Sequence, residues 1–297
     1  MSIIVFRLWS ETILSSGKFW KWARLTVTSQ EQVSSRMIAL VPEIWITEDT
    51  DPDIVEALLK SIRAGVAVNL KKFSSFNDLS LIQPTLVSSA VQKVQRCYIS
   101  DAQPGQLRAL LTGLQDSSSL RSLELESWTW LLQVAPDILA GAVVKLETFQ
   151  APLLSNQAVA VLTRLALTPD ARLRRLALYG SVHISHLDPE ILTSALVKLE
   201  SVGRDLSSGL SASQVTALVT RIRDSQDLRL KELALFCDIS PLSPGLLVAA
   251  IKKLEGVLIC RARMTHEQAS AIHSLVRDES IGRLKKIKLC KWCKFRL

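Results

Sequence analysis

The sequence predicts an α/β solenoid: a horseshoe with an inner parallel β-sheet, outer α-helices and a short helical N-terminal cap. Three observations predict it. The apolar pattern L-x-x-L-x-L recurs every 50–57 residues, as LKKFSS at 70–75, LRSLEL at 120–125, LRRLAL at 173–178, LKELAL at 230–235 and LKKIKL at 284–289. A second series falls between them, as VPEIWI at 41–46, VQRCYI at 94–99, LETFQA at 146–151, LESVGR at 199–204 and LEGVLI at 254–259. A helix signal follows nearly every strand signal in both series. Such a strand–helix unit cannot bury its apolar side alone, so each must stack on its neighbours.

The elements follow in chain order. VPEIWI leads to PDIVEALLKSI at 52–62, with Asp51 as N-cap. LKKFSS leads to QPTLVSSAVQK at 83–93, and VQRCYI to PGQLRALLTGL at 104–114. LRSLEL leads to PDILAGAVVK at 136–145, and LETFQA to SNQAVAVLTRL at 155–165. LRRLAL leads to PEILTSALVK at 189–198, and LESVGR to SASQVTALVTRI at 211–222, with Ser211 as N-cap. LKELAL leads to PGLLVAAIKK at 244–253, and LEGVLI to THEQASAIHSLV at 265–276, with Thr265 as N-cap. Proline suits the first helical position because its missing N–H has no intrahelical partner there. Ser, Thr and Asp cap because their oxygens accept the next free amides. Leucine, isoleucine and valine recur in each segment at helical spacing, which gives one buried face.

These motifs resemble leucine-rich repeats of the ribonuclease-inhibitor type, with two alternating repeat kinds, over roughly residues 41–290. The resemblance implies a curved binding scaffold. The leucines that carry it are core residues, so it speaks to fold more than to function.

Composition narrows the class. Of the 297 residues, 48% are hydrophobic, enough for a continuous core. No apolar run approaches the ~18 residues of a membrane span. MSIIVFRLW lacks a basic start and is interrupted by Arg7, which argues against a signal peptide. The five cysteines form an odd, sparse set, which suits a reducing compartment, the cytoplasm or nucleus. The net charge of +8 is concentrated at one end. Seven basic residues and no acidic one lie between Arg283 and Leu297, leaving about +1 for the rest. A body-wide nucleic-acid footprint is therefore not supported.

Side chains alternate along a strand, so the third and fifth positions of each motif, and the residue after the sixth, face away from the leucines. In the first series these are Ser122, Glu124 and Glu126; Arg175, Ala177 and Tyr179; Glu232, Ala234 and Phe236; Lys286, Lys288 and Cys290. The predicted concave partner-binding residues are Glu124, Glu126, Arg175, Tyr179, Glu232, Phe236, Lys286 and Lys288. Tyr179 and Phe236 are the aromatic anchors, expected about 10 Å apart across two strands.

Residues 1–40 stand outside the repeat pattern and are read as the cap, with 41–297 as the array. Trp9, Trp20, Trp22 and Trp45 cluster at this end of the chain. The stretch FRLWSETILSSGKFWKWARLTV at 6–27 resembles the second half of an F-box. In that family a Cys-Lys-x-Trp helix is followed by a Leu-Trp pair and an exit strand. Arg7 and Trp9 match the first part, Phe19 and Trp20 the second, and ARLTV the exit. The resemblance implies a substrate receptor of a Skp-cullin-F-box ubiquitin ligase, with Trp9, Phe19 and Trp20 meeting the Skp-type adaptor. The family's leading Leu-Pro helix has no counterpart, which implies weak adaptor binding. The same segment also serves as an apolar cap sealing the first unit.

No motif carries catalysis. The pair Cys290-x-x-Cys293 lacks the two further ligands of a structural zinc site. His183 and His186 sit in a loop with no Cys or acidic pair to complete a site. Neither a glycine-rich phosphate loop nor G-x-S-x-G occurs. The expectation is a non-enzymatic protein binder with no cofactor and no metal. Two alternatives are a stand-alone binder or inhibitor, or sensor fragment, of the ribonuclease-inhibitor kind, and a nucleic-acid or anionic-membrane binder acting through the basic tail KKIKLCKWCKFR.

Overall fold

The computed structural model describes residues 23–34, 37–116, 119–126, 131–179, 182–277, 283–290 and 294–296. The chain divides into two compact units, Met1–Val134 and Ala135–Leu297.

The first unit runs β1 (Arg24–Val27), α1 (Gln30–Ser34), α2 (Met37–Leu40), β2 (Glu43–Ile46), α3 (Pro52–Arg63), β3 (Lys72–Asp78), α4 (Pro84–Val91), β4 (Arg96–Asp101), α5 (Pro104–Asp116) and β5 (Ser122–Leu125). Its strands lie side by side in chain order and pair parallel. Parallel neighbours need a crossover between them, and the helices supply it. The fourth positions of the predicted motifs stack in register, with Ile44 beside Phe73, Phe73 beside Cys97 and Cys97 beside Leu123. All four are buried, at 0–3% exposure.

The second unit runs α6 (Pro136–Val143), β6 (Thr148–Pro152), α7 (Ser155–Leu167), β7 (Arg175–Tyr179), α8 (Pro189–Leu196), β8 (Ser201–Val202), α9 (Arg204–Ser207), α10 (Ala212–Asp224), β9 (Glu232–Leu235), α11 (Pro244–Ile251), β10 (Gly256–Ile259), β11 (Arg263–Thr265), α12 (His266–Arg277), β12 (Lys286–Leu289) and β13 (Lys294–Arg296). Strands β6, β7, β8, β9, β10 and β12 are neighbours in that order, all parallel, while β11 pairs with β13. The register again follows the motifs: Phe149 pairs with Leu176, and Val202, Leu233, Val257 and Ile287 form one row. In both units this is a leucine-rich repeat architecture, with parallel strands on one layer and helices on the other.

The helix starts are chemically specified. Asp51, Ser211 and Thr265 cap as the sequence predicts, each side chain accepting an amide from the first helical turn. Asp188 and Ser243 do the same for α8 and α11. A buried glutamine recurs in the longer helices at Gln106, Gln157, Gln214 and Gln268, at 0–2% exposure. In each the side-chain oxygen accepts the amide three residues earlier, at Gln103, Leu154, Ser211 and Thr265. The amide of Gln214 donates to the Ile184 and Leu187 carbonyls, at 2.8 and 2.6 Å. That of Gln268 donates to Ile239 and Leu242, at 2.8 and 2.6 Å. Gln106 bonds Leu79 and Ile82 in the same way. Gln106, Gln214 and Gln268 thus pin their helices to the strand-to-helix turn of the preceding repeat. They also give the Ile82, Leu187 and Leu242 carbonyls a partner, while the Leu79, Ile184 and Ile239 carbonyls accept a backbone amide as well. Lys198 adds a second kind of tie, its Nζ donating to the carbonyls of Leu165, Ala166 and Thr168 at the C-terminal end of α7. A cation there meets the negative end of the helix dipole.

Three departures from the sequence reading have physical causes. Among the described residues the parallel sheet starts at Arg24, inside the segment read as cap, because Leu25 and Val27 pair with Ile44 and Ile46 and join the core. In LESVGR the sixth position is Arg204, which the pattern places inward. A charged side chain does not stay in that core, so the strand stops at Val202 and the chain turns into α9 with Arg204 exposed. In LKKIKL the sixth position, Leu289, is 46% exposed, because β12 ends the order of its sheet among the described residues.

Candidate functional site

The strand faces turned away from the core carry the predicted stripe, unit by unit. In the first, Glu124 is half-buried on β5 and Glu126 is exposed just beyond it. In the second, Arg175 pairs in register with Ser201, and Ser201 with Glu232, so Arg175 and Glu232 share one row two strands apart. Both are exposed. Arg175 also leans toward Glu200, at 3.7 Å. Tyr179 ends β7, opposite Pro152; its side chain lies outside the described residues. Phe236 follows β9 and is half-buried, with the Arg204 guanidinium carbon 5.5 Å from its ring centroid. The short α9 therefore brings a cation onto the ring read as an aromatic anchor. Lys286 and Lys288 are exposed on β12, beside Gly256 and Leu258. Trp9, Phe19 and Trp20, the adaptor candidates, lie outside the described residues.

The sequence reading missed a denser constellation in the first unit. Trp45 on β2, Phe76 on β3 and Tyr98 on β4 project from the non-core face of three successive strands. Trp45 and Phe76 have ring centroids 5.3 Å apart, and Phe76 and Tyr98 4.9 Å apart, both tilted. These separations and tilts fall in the favourable range for aromatic pairs. All three rings are half-buried. Ser74 pairs with both Trp45 and Tyr98 and is only 2% exposed, so the rings close over it as a continuous apolar band. β3 makes this possible by running on to Asp78 with a shift of register between Ser75 and Asp78, where Phe76 lies.

A charged cluster holds one end of the band. The Arg24 guanidinium lies 3.9 Å from the Trp45 centroid and 3.6 Å from the Glu43 carboxylate. Lys72 Nζ reaches the same carboxylate at 2.9 Å, and the Trp45 indole donates to it at 2.5 Å. Burial pulls the Glu43 pKa upward. The hydrogen bonds from Lys72 and Trp45, with the charges of Lys72 and Arg24, outweigh it and hold the carboxyl below its ordinary value. The outcome is an ionised, oriented carboxylate that fixes the Trp45 ring. Ordinary cation–π and surface ion-pair energies, each about 1 kcal/mol or less, suffice to order these side chains.

His183 and His186 are exposed in their loop. Cys97 and Cys237 are buried; burial pushes the Cys97 thiol up, and raises Cys237 to about 12. Neither is a nucleophile at neutral pH. Cys290 follows β12, and its partner in the C-x-x-C, Cys293, lies outside the described residues. Among the described residues no group of three or more His, Cys, Asp or Glu side chains could hold a metal ion. No described helix is long and apolar enough to cross a membrane.

No family model matches the chain, and no curated protein matches it. Among solved structures, the leucine-rich repeat-containing protein LegL7 from Legionella pneumophila is similar over 94% of this chain and 88% of its own, with 14% identity and a TM-score of 0.39. The architecture assigned above rests on strand order, register and helix placement within each unit.

Proposed function

We propose that this chain is a non-enzymatic protein-recognition scaffold that captures a protein partner on the solvent-facing side of its parallel strands. The observation that carries this reading is the Trp45–Phe76–Tyr98 band. Three packed rings on a sheet face, held by a charged cluster, make a ready anchor surface, and aromatic side chains dominate the energetics of protein interfaces. The fold supports it, because a repeat array offers an extended face built from rigid strands. A photo-crosslinking amino acid in place of Tyr98 should give protein adducts, while the same group in place of the exposed helical Arg108 should not. Equal adducts at both positions would sink the reading.

A finer reading makes the chain the substrate-recognition part of a Skp-cullin-F-box ubiquitin ligase. Its support is the resemblance of residues 6–27 to the second half of an F-box. On this reading the full chain binds a purified Skp-type adaptor weakly and through Trp20. Trp20→Ala should abolish a binding that is already in the micromolar range or weaker, about −8 kcal/mol at most. Absence of any adaptor binding removes the ligase reading and leaves the recognition scaffold standing. Tight binding abolished by Trp20→Ala would show that the shortened box is sufficient.

A further inference from the structure

Resting on that reading of the first unit's sheet face, we propose that the partner element seated on the aromatic band is an amphipathic helix. It lies across the strands, with a basic flank toward the strand ends and an acidic flank toward the strand starts.

The first argument is charge. At the strand starts stand Arg24, Lys71, Lys72, Arg96 and Arg121, against the single carboxylate Glu43. At the strand ends stand Glu48, Asp49, Asp78, Asp101 and Glu126, and no basic residue occurs in the turns 47–51, 76–83 or 100–103. Asp78 and Asp101 are register partners on neighbouring strands, which concentrates the negative edge. Over β2–β4 the face is therefore apolar along its middle, bordered by Glu124 beside Tyr98 on β5, positive along one rim and negative along the other. A phosphate backbone or an anionic membrane would meet the acidic rim unfavourably. A partner with one basic and one acidic border satisfies both rims, and such complementarity selects among partners.

The second argument is geometry. The ring separations of 5.3 and 4.9 Å make a band about 10 Å long across three strands, close to two turns of helix at 5.4 Å pitch. Apolar residues at i, i+3, i+4 and i+7 would cover it. Along the strands, the seven residues of β3 span roughly 23 Å at ~3.3 Å each. A helix about 10–12 Å wide leaves its long flanking side chains in reach of both rims. An extended peptide fits less well. β2, β3 and β4 are each paired on both sides, so no strand edge is open to its backbone. Its amides would face aromatic rings with no partner, whereas a helix satisfies its own.

The test uses the full chain and a displayed library of roughly 16-residue helical peptides, long enough for about four turns. The apolar stripe is fixed and the flanking positions are randomised among Lys, Glu and Ser. Selection should enrich Lys on one flank and Glu on the other. Versions with Lys on both flanks, or Glu on both, should bind at least about tenfold more weakly. The double variant Trp45→Ala with Phe76→Ala should lose binding while keeping the circular dichroism spectrum of the parent. Enrichment without flank polarity overturns the proposal, as does no enrichment. Binders that need the two rings but are not helical leave protein recognition intact and refute the helix. Binders indifferent to both rings refute the helix and the recognition face together. If peptides bind only after residues 1–22 are removed, the chain's own N-terminal segment is the occupant and the separate helix is refuted.

Discussion

Replacing Gln214 with Leu tests what joins one repeat to the next. Gln214 is fully buried. Its amide donates to the Ile184 and Leu187 carbonyls at 2.8 and 2.6 Å, and its oxygen accepts the Ser211 amide at 2.9 Å. Leucine has a similar volume, so the substitution opens little cavity. It leaves the Leu187 carbonyl and the Ser211 N–H without their side-chain partner, each costing about 1–3 kcal/mol, while the Ile184 carbonyl keeps the Leu187 N–H. Part of this is offset by burying a more apolar side chain, about 1–2 kcal/mol. The net expected loss is roughly 1–4 kcal/mol. Urea unfolding measures it, and hydrogen exchange at Leu187 and Ser211 locates it. Gln226→Leu, at an exposed position, should cost less than about 0.5 kcal/mol. Gln214→Glu adds a diagnostic. A buried carboxylate facing two carbonyls has its pKa raised. Its stability relative to the parent is therefore highest at low pH, where the acid can donate one hydrogen bond, and falls as pH rises through the raised pKa. A loss below about 1 kcal/mol for Gln214→Leu, or exchange unchanged at Leu187, would show that the glutamine is incidental and that apolar packing alone joins the repeats.

Leu176→Ala should cost roughly 2–5 kcal/mol by chemical denaturation, since Leu176 is 5% exposed and stacks in register with Phe149. Phe236→Ala should speed hydrogen exchange across Arg204–Ser207, because it removes the ring on which Arg204 rests; unchanged exchange would mean α9 is held by Leu206 alone. Glu43 has a depressed pKa, so its contribution to stability is full above its ordinary value of 4.5 and is lost as pH falls through the lower folded value. Acid titration of the parent followed by Trp fluorescence should show that loss, and Glu43→Gln should flatten it.

The repeat was legible because its determinants are local and periodic. Leucine at the first, fourth and sixth positions of LRRLAL needs no partner to be recognised, and proline at 84, 136, 189 and 244 marks helix starts by removing an amide that has no use there. The register was legible too, since stacking like on like leaves one alignment that buries every fourth position. What failed was the assumption that every unit completes its pattern. Arg204 stands where an apolar residue belongs, and one charge turned the last third of a strand into α9. The glutamine ties were present in the sequence at Gln106, Gln157, Gln214 and Gln268, spaced 51, 57 and 54 residues apart. For Gln106, Gln214 and Gln268 their meaning lay in carbonyls 24–30 residues upstream, and only the fold brings those into reach.

The same distinction explains the site. Tyr179 and Phe236 stood out because they occupy one motif position in successive repeats of a single series. Trp45, Phe76 and Tyr98 do not: Trp45 and Tyr98 are fifth positions of the second series, and Phe76 follows the sixth position of the first. A search along either series meets at most two of them and misses the ring between. They meet because the two series interleave in space as β2, β3 and β4, and because β3 carries serine at its fifth position. A large side chain at residue 74 would fill the space between Trp45 and Tyr98 and lift Phe76 off both. Ser74→Leu should therefore break the band from beneath while leaving the leucine core untouched. Tyrosine and tryptophan side-chain signals in NMR spectra would shift, and helical-peptide binding would fall at least about tenfold with little change in unfolding midpoint. Unchanged ring signals would mean that the three rings hold one another without the serine floor, and that the space above residue 74 plays no part in forming the surface.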